Sequence, residues 1–268
     1  MLVAVFWPLN WFLKGPRTHW GFFPLWLGYC LVVDGLVFKR TGTSLLNRSW
    51  RKYAGLFLLS MPVWWLFELL NWRVQNWFYD GKEQFSNLEY GLLATIAFST
   101  VIPAVFGTAE LVSSFRLFNH PLRGPTIKPD RKTTLGFFTA GWVMLGLMLV
   151  WPHYFFPFIW ISVYFITEPL NVWLGNRHLA ESTQNSDWQP VLTLWGGVLI
   201  TAFFWEFWNY WSYPKWVYTI PFVNFWHIFE MPLLGYGGYL PFALELFALY
   251  HFIQGLLGDK KSAYVRRI

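Results

Sequence analysis

Seven apolar runs constrain this chain more than anything else in it. They lie near 20 to 38, 54 to 72, 90 to 109, 134 to 151, 154 to 173, 191 to 211 and 232 to 256. Each supplies the roughly 20 residues that a helix needs to cross about 30 Å of hydrocarbon. Backbone N–H and C=O groups inside a bilayer must find partners within the protein, so helices are expected and the Gly and Pro residues in the runs read as kinks. A transmembrane β-barrel would need alternating segments of about ten residues, and these runs do not alternate. Composition agrees, with 55% of the 268 residues hydrophobic and only 13% charged, the balance of an integral membrane protein. The expected fold class is all-α, a polytopic transmembrane bundle of about seven spans.

The opening run MLVAVFWPLNWFL is apolar but short and broken by Pro8, which suits an interfacial segment or the end of a longer span. No basic segment precedes it and no small-residue cleavage pattern follows, so a secretory signal is not expected. Cys30 is the single cysteine, which excludes an intramolecular disulfide and a cysteine metal cluster and leaves a small buried hydrophobe. The net charge of +6 comes from basic residues scattered among interhelical loops, which points to topology and not to nucleic acid. Lys39, Arg40, Arg48, Arg51 and Lys52, then Arg116, Arg123, Lys128, Arg131 and Lys132, then Lys260, Lys261, Arg266 and Arg267 all fall on one side of a seven-span arrangement. The positive-inside rule makes that side, and the C-terminus, cytoplasmic, as in a bacterial inner membrane. The stretch at 174 to 189 fits less well, with Arg177 set against Glu181 and Asp187. The opposite loops, near 73 to 89 and 212 to 229, carry Trp and Tyr suited to an interfacial belt.

The chain also contains itself twice. Trp50, Glu68 and Asn71 recur 138 positions later as Trp188, Glu206 and Asn209. With small insertions the match extends to His19 and His153, Asp34 and Glu168, Trp77 and Trp216, Tyr79 and Tyr218, and Glu89 and Glu230. The expected organisation is an N-terminal apolar segment at 1–18, a first three-span repeat at 19–117, a loop and linking span at 118–152, a second repeat at 153–256 and a basic tail at 257–268. A single linking span returns the chain to its starting side, so the repeats should share one orientation and be related by an axis along the membrane normal, with a working cavity between them.

Polar positions that recur in an almost wholly apolar setting are the candidate site. Glu68 and Asn71, like Glu206 and Asn209, are three residues apart and share a helix face. His19, His153, Glu89 and Glu230 fall at the same end of neighbouring spans. An intramembrane carboxylate costs several kcal/mol unless protonated, paired or hydrated, so these acids are candidates for proton transfer, while mutual hydrogen bonding that glues the repeats is the plainer alternative. Asp34 and Glu168 lie beside the basic loops, where ion pairing or solvation is expected. Glu245 falls deeper in its span, outside the repeat. Trp65, Trp72, Trp77 and Tyr79, with Trp205, Trp208, Trp216 and Tyr218, are the aromatics expected to contact substrate, since aromatic faces stabilise cations by about 0.5 to 2 kcal/mol. The chain lacks HExxH, histidine boxes, a P-loop, GxGxxG and the DDxxD of a magnesium-dependent prenyltransferase; the His-Glu-Asn-Glu set could bind zinc or iron if it converged, but no spacing enforces this and no metal is expected.

This pattern resembles the small, membrane-embedded lycopene cyclase family of carotenoid biosynthesis. That family has a three-span repeat present twice, with a linking span in fused forms. Its repeats carry an acid at the end of the second span, a downstream Trp and aromatic residue, and a Pro-Leu-Glu-Glu motif opening the third. The corresponding strings here are WEFWNYWSYPKWVY and FEMPLLGYGGYLPF, through Glu206, Trp216, Tyr218, Glu230 and Pro232; Glu68, Trp77, Tyr79 and Glu89 match in the first half. Glu230 precedes Pro232, where the family's order is the reverse. The same strings are similar to segments of bacterial membrane proteins of unassigned function. The resemblance implies a redox-neutral isomerase that cyclises a linear isoprenoid without a cofactor, with Glu206 or Glu68 as acid and Glu230 or Glu89 receiving the proton. Its partners would be a membrane lipid or isoprenoid substrate, and a homo-oligomer or larger membrane complex is compatible with it. Two other classes stay open: a small-solute or proton-coupled transporter, which parallel three-span repeats also suit, and a structural or accessory membrane subunit.

Overall fold

A computed structural model describes residues 1–13, 19–118 and 120–266. Among the described residues six helices are long and apolar enough to cross a membrane: α2 (Phe22–Thr41), α4 (Trp50–Val74), the continuous pair α5 (Asn87–Phe98) and α6 (Val101–Ser113), α7 (Arg131–Val150), α11 (Gln189–Asn209), and α12 (Tyr239–Leu256) with the 3-10 turn before it. A seventh crossing exists if α8 (Pro152–Phe155), its following 3-10 turn and α9 (Ser162–Leu174) count as one span bent by 41°. The chain is an integral membrane helix bundle. The N-terminal apolar segment forms α1 (Leu2–Phe12), which lies against α2 so closely that a Cβ on Gly28 would stand 2.7 Å from Leu2 Cβ.

The ends of the helices follow from their sequences. Ser49 caps α4, with its Oγ accepting from Lys52 N at 3.3 Å, and Asp130 caps α7 by accepting from Thr133 N at 2.8 Å. Gly42 ends α2 in the left-handed region at φ 71°, and Gln75 ends α4 the same way at φ 56°. Breaks inside spans are repaired from neighbouring helices, as backbone groups away from water require. Between α5 and α6, Ser60 Oγ donates to Phe98 O at 2.6 Å and accepts from Ile102 N at 3.1 Å. At the 41° bend, Glu245 Oε1 accepts from Val163 N at 3.1 Å.

The centre of the bundle is α6 against α11. A Cβ at Gly197 would lie 2.6 Å from Ala109 N, so the missing side chain is what lets these two backbones approach. Around that pair, α2 and α4 pack on α6, α12 packs on both α11 and α9, and α7 lies outermost on α9. Trp26, Phe67, Phe106, Phe242 and Phe247 fill the interior. Two short helices, α3 (Leu45–Arg48) and α10 (Ala180–Thr183), are each held by an acid from the preceding span. Asp34 accepts from Ser44 Oγ at 2.7 Å and Leu46 N at 3.0 Å, and Glu168 accepts from Leu179 N at 2.6 Å and Ala180 N at 3.3 Å. Their partners are thus a hydroxyl and backbone amides, where ion pairing or solvation was expected.

At the opposite end the structure adds what an all-helical reading does not contain. β1 (Trp77–Asp80) and β2 (Lys215–Tyr218) pair as an antiparallel ribbon, and β3 (His227–Ile228) pairs with β4 (Met231–Pro232). The ribbon is built from the two aromatic loops and closes one end of the bundle.

Candidate functional site

Glu68 and Asn71 lie at the end of α4, and Glu206 and Asn209 at the end of α11. Each pair faces the chain that returns from its own helix, and the two side chains take different tasks. Asn71 Nδ2 donates to Trp77 O at 2.7 Å, and its Oδ1 accepts from Asn76 N at 2.9 Å and Trp77 N at 3.3 Å. Asn209 Nδ2 donates to Trp216 O at 2.7 Å, and its Oδ1 accepts from Trp216 N at 2.9 Å. Both amides therefore act as a surrogate strand that fixes a tryptophan main chain.

Residues i and i+2 of a strand share a face, so fixing the tryptophan also aims the tyrosine two positions on. Glu68 Oε1 accepts from Trp77 Nε1 at 3.0 Å, Tyr79 OH at 2.6 Å and Trp64 Nε1 at 2.9 Å. Glu206 Oε1 accepts from Tyr218 OH at 2.7 Å, Tyr239 OH at 2.6 Å and Trp216 Nε1 at 3.4 Å. In the ribbon Trp77 stands opposite Tyr218 and Tyr79 opposite Trp216. All four side chains thus project from one face, while Phe78 on the other face is 54% exposed.

That inner face roofs an aromatic cavity of about 320 Å³. Trp77, Tyr79, Trp216 and Tyr218 line it from the ribbon, and Trp64, Trp160, Trp205 and Tyr239 line it from the helices and the turn before α9. No Asp, Glu, Lys or Arg is among the described residues of its wall. Glu68 and Glu206 stand behind the rings, so a molecule in the cavity meets their hydrogen-bonded tyrosines and tryptophans first. Burial, and after it the neighbouring carboxyl groups, pushes the Tyr79 and Tyr218 hydroxyls well above their ordinary range. Both therefore keep their protons at neutral pH.

The sequence candidates distribute unevenly over this geometry. His19 lines the cavity beside Phe85, ring centroids 5.3 Å apart. His153 is exposed and packs edge-on against Phe222 at 4.8 Å, outside the cavity. Glu89 caps α5, its Oε2 accepting from Ser86 N at 3.0 Å and Ser86 Oγ at 2.7 Å, an arrangement that occupies it as a capping box. Glu230 forms an ion pair with Lys215 of β2. Among the tryptophans, Trp205 lines the cavity. Trp65 instead donates to Thr95 Oγ1 at 3.0 Å, Trp72 is 80% exposed, and Trp208 is buried against Trp26 and Tyr29. The structure also brings in Trp64, Trp160 and Tyr239. Trp64 is one helical turn before Glu68, a spacing visible in the sequence; no sequence spacing ties Tyr239 or Trp160 to either glutamate.

Among the described residues no three His, Cys, Asp or Glu side chains gather as a metal site. The remaining buried acid, Glu110, is paired with Arg48. Comparison of the chain with protein-family models, curated proteins and solved structures returns no match.

Proposed function

We propose that this membrane protein is a redox-neutral enzyme acting on an apolar isoprenoid by protonation, similar in plan to the membrane-embedded lycopene cyclases. One observation carries the proposal. Two glutamates, each gripping a W-x-Y segment by its indole N–H and phenol O–H, turn the rings of those residues onto an aromatic cavity with no Asp, Glu, Lys or Arg among its described wall residues. Such a wall suits an apolar ligand oriented by a few polar groups. In the reaction, Glu206 starts as the carboxylic acid and gives up its proton through Tyr218 or Tyr239 to a terminal alkene carbon, which leaves Glu206 as the carboxylate. The next double bond attacks the resulting tertiary cation to form the ring C–C bond, and an adjacent C–H releases its proton to the same pair. The product has the substrate's formula, so no oxidant or reductant is required. Glu89 and Glu230 are engaged in a helix cap and an ion pair, so the tyrosine–glutamate pair takes the returning proton.

The proposal includes seven spans in a three, one, three order, with two parallel repeats and the C-terminus cytoplasmic. Three relationships support it. Packing within the halves corresponds, α2 on α6 as α9 on α12, and α4 on α6 as α11 on α12. Asp34 and Glu168 hold equivalent short helices. The ribbon register sets the first half's Trp against the second half's Tyr and the reverse, as a two-fold axis along the membrane normal requires.

Mass spectrometry of pigments from a host that accumulates linear carotenoids tests the reading. Cells expressing the wild type should contain a new isomer of unchanged mass, absent with Glu206→Gln at equal protein abundance. Identical extracts from both forms would reject it. Proton-coupled transport is the second reading, favoured by a buried hydroxyl chain between α2, α6 and α11: Tyr29 OH lies 2.8 Å from Thr108 Oγ1, to which Thr201 Oγ1 donates at 3.2 Å. It becomes the leading one if extracts are identical and proteoliposomes acidify in a Glu206-dependent manner.

A further inference from the structure

The two glutamates recur in sequence but differ in what holds them. Glu68 Oε1 receives two indole N–H groups, from Trp64 and Trp77, and one phenol. Glu206 Oε1 receives two phenols, from Tyr218 and Tyr239, within 2.7 Å and one indole at 3.4 Å. An indole N–H only donates, whereas a phenol can release one proton while accepting another. The Glu206 end therefore holds two phenols 3.5 Å apart along which protons can be handed on, where the Glu68 end holds the single phenol of Tyr79.

We propose that the two ends of the cavity are unlike: Glu206 with its tyrosines delivers protons, and Glu68 with Trp64 and Trp77 is a binding site for the cationic centre of an apolar ligand. That centre is a tertiary carbocation during the reaction, and a quaternary ammonium on an apolar tail is its stable counterpart. The proton-delivering half rests on the function proposed above; cation binding at Glu68 does not.

Three features argue for the cation site. The rings of Trp64 and Trp77 line the cavity while their N–H edges are bonded to Glu68, and donation to a carboxyl group polarises an indole so that its face attracts cations more strongly. Trp77 stacks on Trp160 with centroids 5.4 Å apart, and Trp160 on Phe67 at 5.8 Å, which extends the electron-rich wall. No Lys or Arg among the described wall residues opposes a positive centre.

The test uses the purified full chain in lipid nanodiscs and two probes of one shape, citronellyl trimethylammonium and the neutral hydrocarbon in which a tert-butyl group replaces the ammonium. The wild type should bind the ammonium about tenfold more tightly than its neutral isostere. Glu68→Gln should erase that preference while holding the neutral probe within about twofold, and Glu206→Gln should retain it. If Glu68→Gln no longer binds the neutral probe, Trp64→Phe, which removes one N–H and keeps a ring, should show a reduced preference with neutral binding intact. An absent preference in the wild type, or equal loss in Glu68→Gln and Glu206→Gln, or full retention without the Glu68 charge, overturns the proposal. Preference with the stated dependence but no isomer in pigment extracts upholds cation binding and rejects the enzymatic reading.

Discussion

Asn209 holds both main-chain groups of Trp216, donating to its carbonyl at 2.7 Å and accepting from its N–H at 2.9 Å. Asn209 is fully buried, so replacing it by Leu leaves an amide and a carbonyl without partners. Each orphaned group costs about 1–3 kcal/mol. We expect Asn209→Leu to lower the denaturation midpoint measurably in detergent and to loosen Trp216 from Glu206, read as a shift in tryptophan emission. A variant with wild-type emission and stability would show that the clamp is dispensable.

Tyr218 and Tyr239 share one oxygen of Glu206 and lie 3.5 Å from each other. Tyr218→Phe and Tyr239→Phe each remove one O–H and keep the ring, so packing changes little. If these phenols relay the proton, each variant should lower isomer yield by about 10²- to 10⁴-fold, the usual contribution of general acid catalysis, at unchanged abundance. Wild-type yield from both variants would place the proton path elsewhere.

The bundle was legible because about 20 apolar residues in a row have few other stable forms in lipid. The acid positions were legible because Glu68 and Glu206 keep one offset while their apolar surroundings drift. The ribbon was not. Each strand has four residues, and Trp77 pairs with Tyr218 far along the chain, beyond any local pattern; the alternation in WFYD and KWVY is a strand signal, but beside a span the same aromatics also fit an interfacial belt. A shared helix face makes the glutamates the evident partners of the asparagines in the sequence. Their actual partners become visible only once the chain turns back after Gln75 and Ser212 to bring Trp77 and Trp216 alongside. Glu89 and Glu230 recur as well, and in the structure they take part in a helix cap and an ion pair, partners that recurrence alone does not reveal.

Gly197 sets the spacing of α6 and α11. A Cβ there would lie 2.6 Å from Ala109 N and 2.7 Å from Ala109 Cα, both backbone atoms that cannot swing aside. Gly197→Ala should destabilise the protein by about 1–3 kcal/mol, the range for overpacking a tight interior. Gly136 has no neighbour within 4 Å of the same position, so Gly136→Ala is the matched control and should leave the thermal midpoint near wild type. Helix propensity favours Ala over Gly in both variants, so a midpoint for Gly197→Ala as high as that of Gly136→Ala would mean that the α6–α11 contact tolerates the added methyl group.

His178 lies between α9 and α10, with Glu181 and Lys261 as its charged neighbours. Burial lowers its imidazole below the ordinary 6.5, against the pull of Glu181 and with the push of Lys261. A group whose folded value is depressed binds more protons when unfolded, so its stabilising contribution is present above pH 6.5 and is lost as pH falls below it. Thermal midpoints measured from pH 7.5 down to about 5 should therefore decline, and His178→Gln should flatten that part of the curve. An unchanged slope in His178→Gln would assign the pH dependence to other groups.

Arg48 and Glu110 form an ion pair whose side chains are 7% and 0% exposed, and Arg48 Nε also donates to Tyr264 O at 2.9 Å. The pair thus ties α3 to α6 and the C-terminal segment to both. Removing one member strands the other charge in an apolar setting, a loss of about 3–5 kcal/mol, whereas replacing both by apolar groups of similar volume often costs little. Arg48→Met and Glu110→Leu should each reduce stability strongly, and the double variant should recover most of it except the hydrogen bond to Tyr264. Denaturation of the three variants in one detergent gives the coupling energy directly. Additive losses would mean that the two charges stabilise the fold independently, each through its own neighbours.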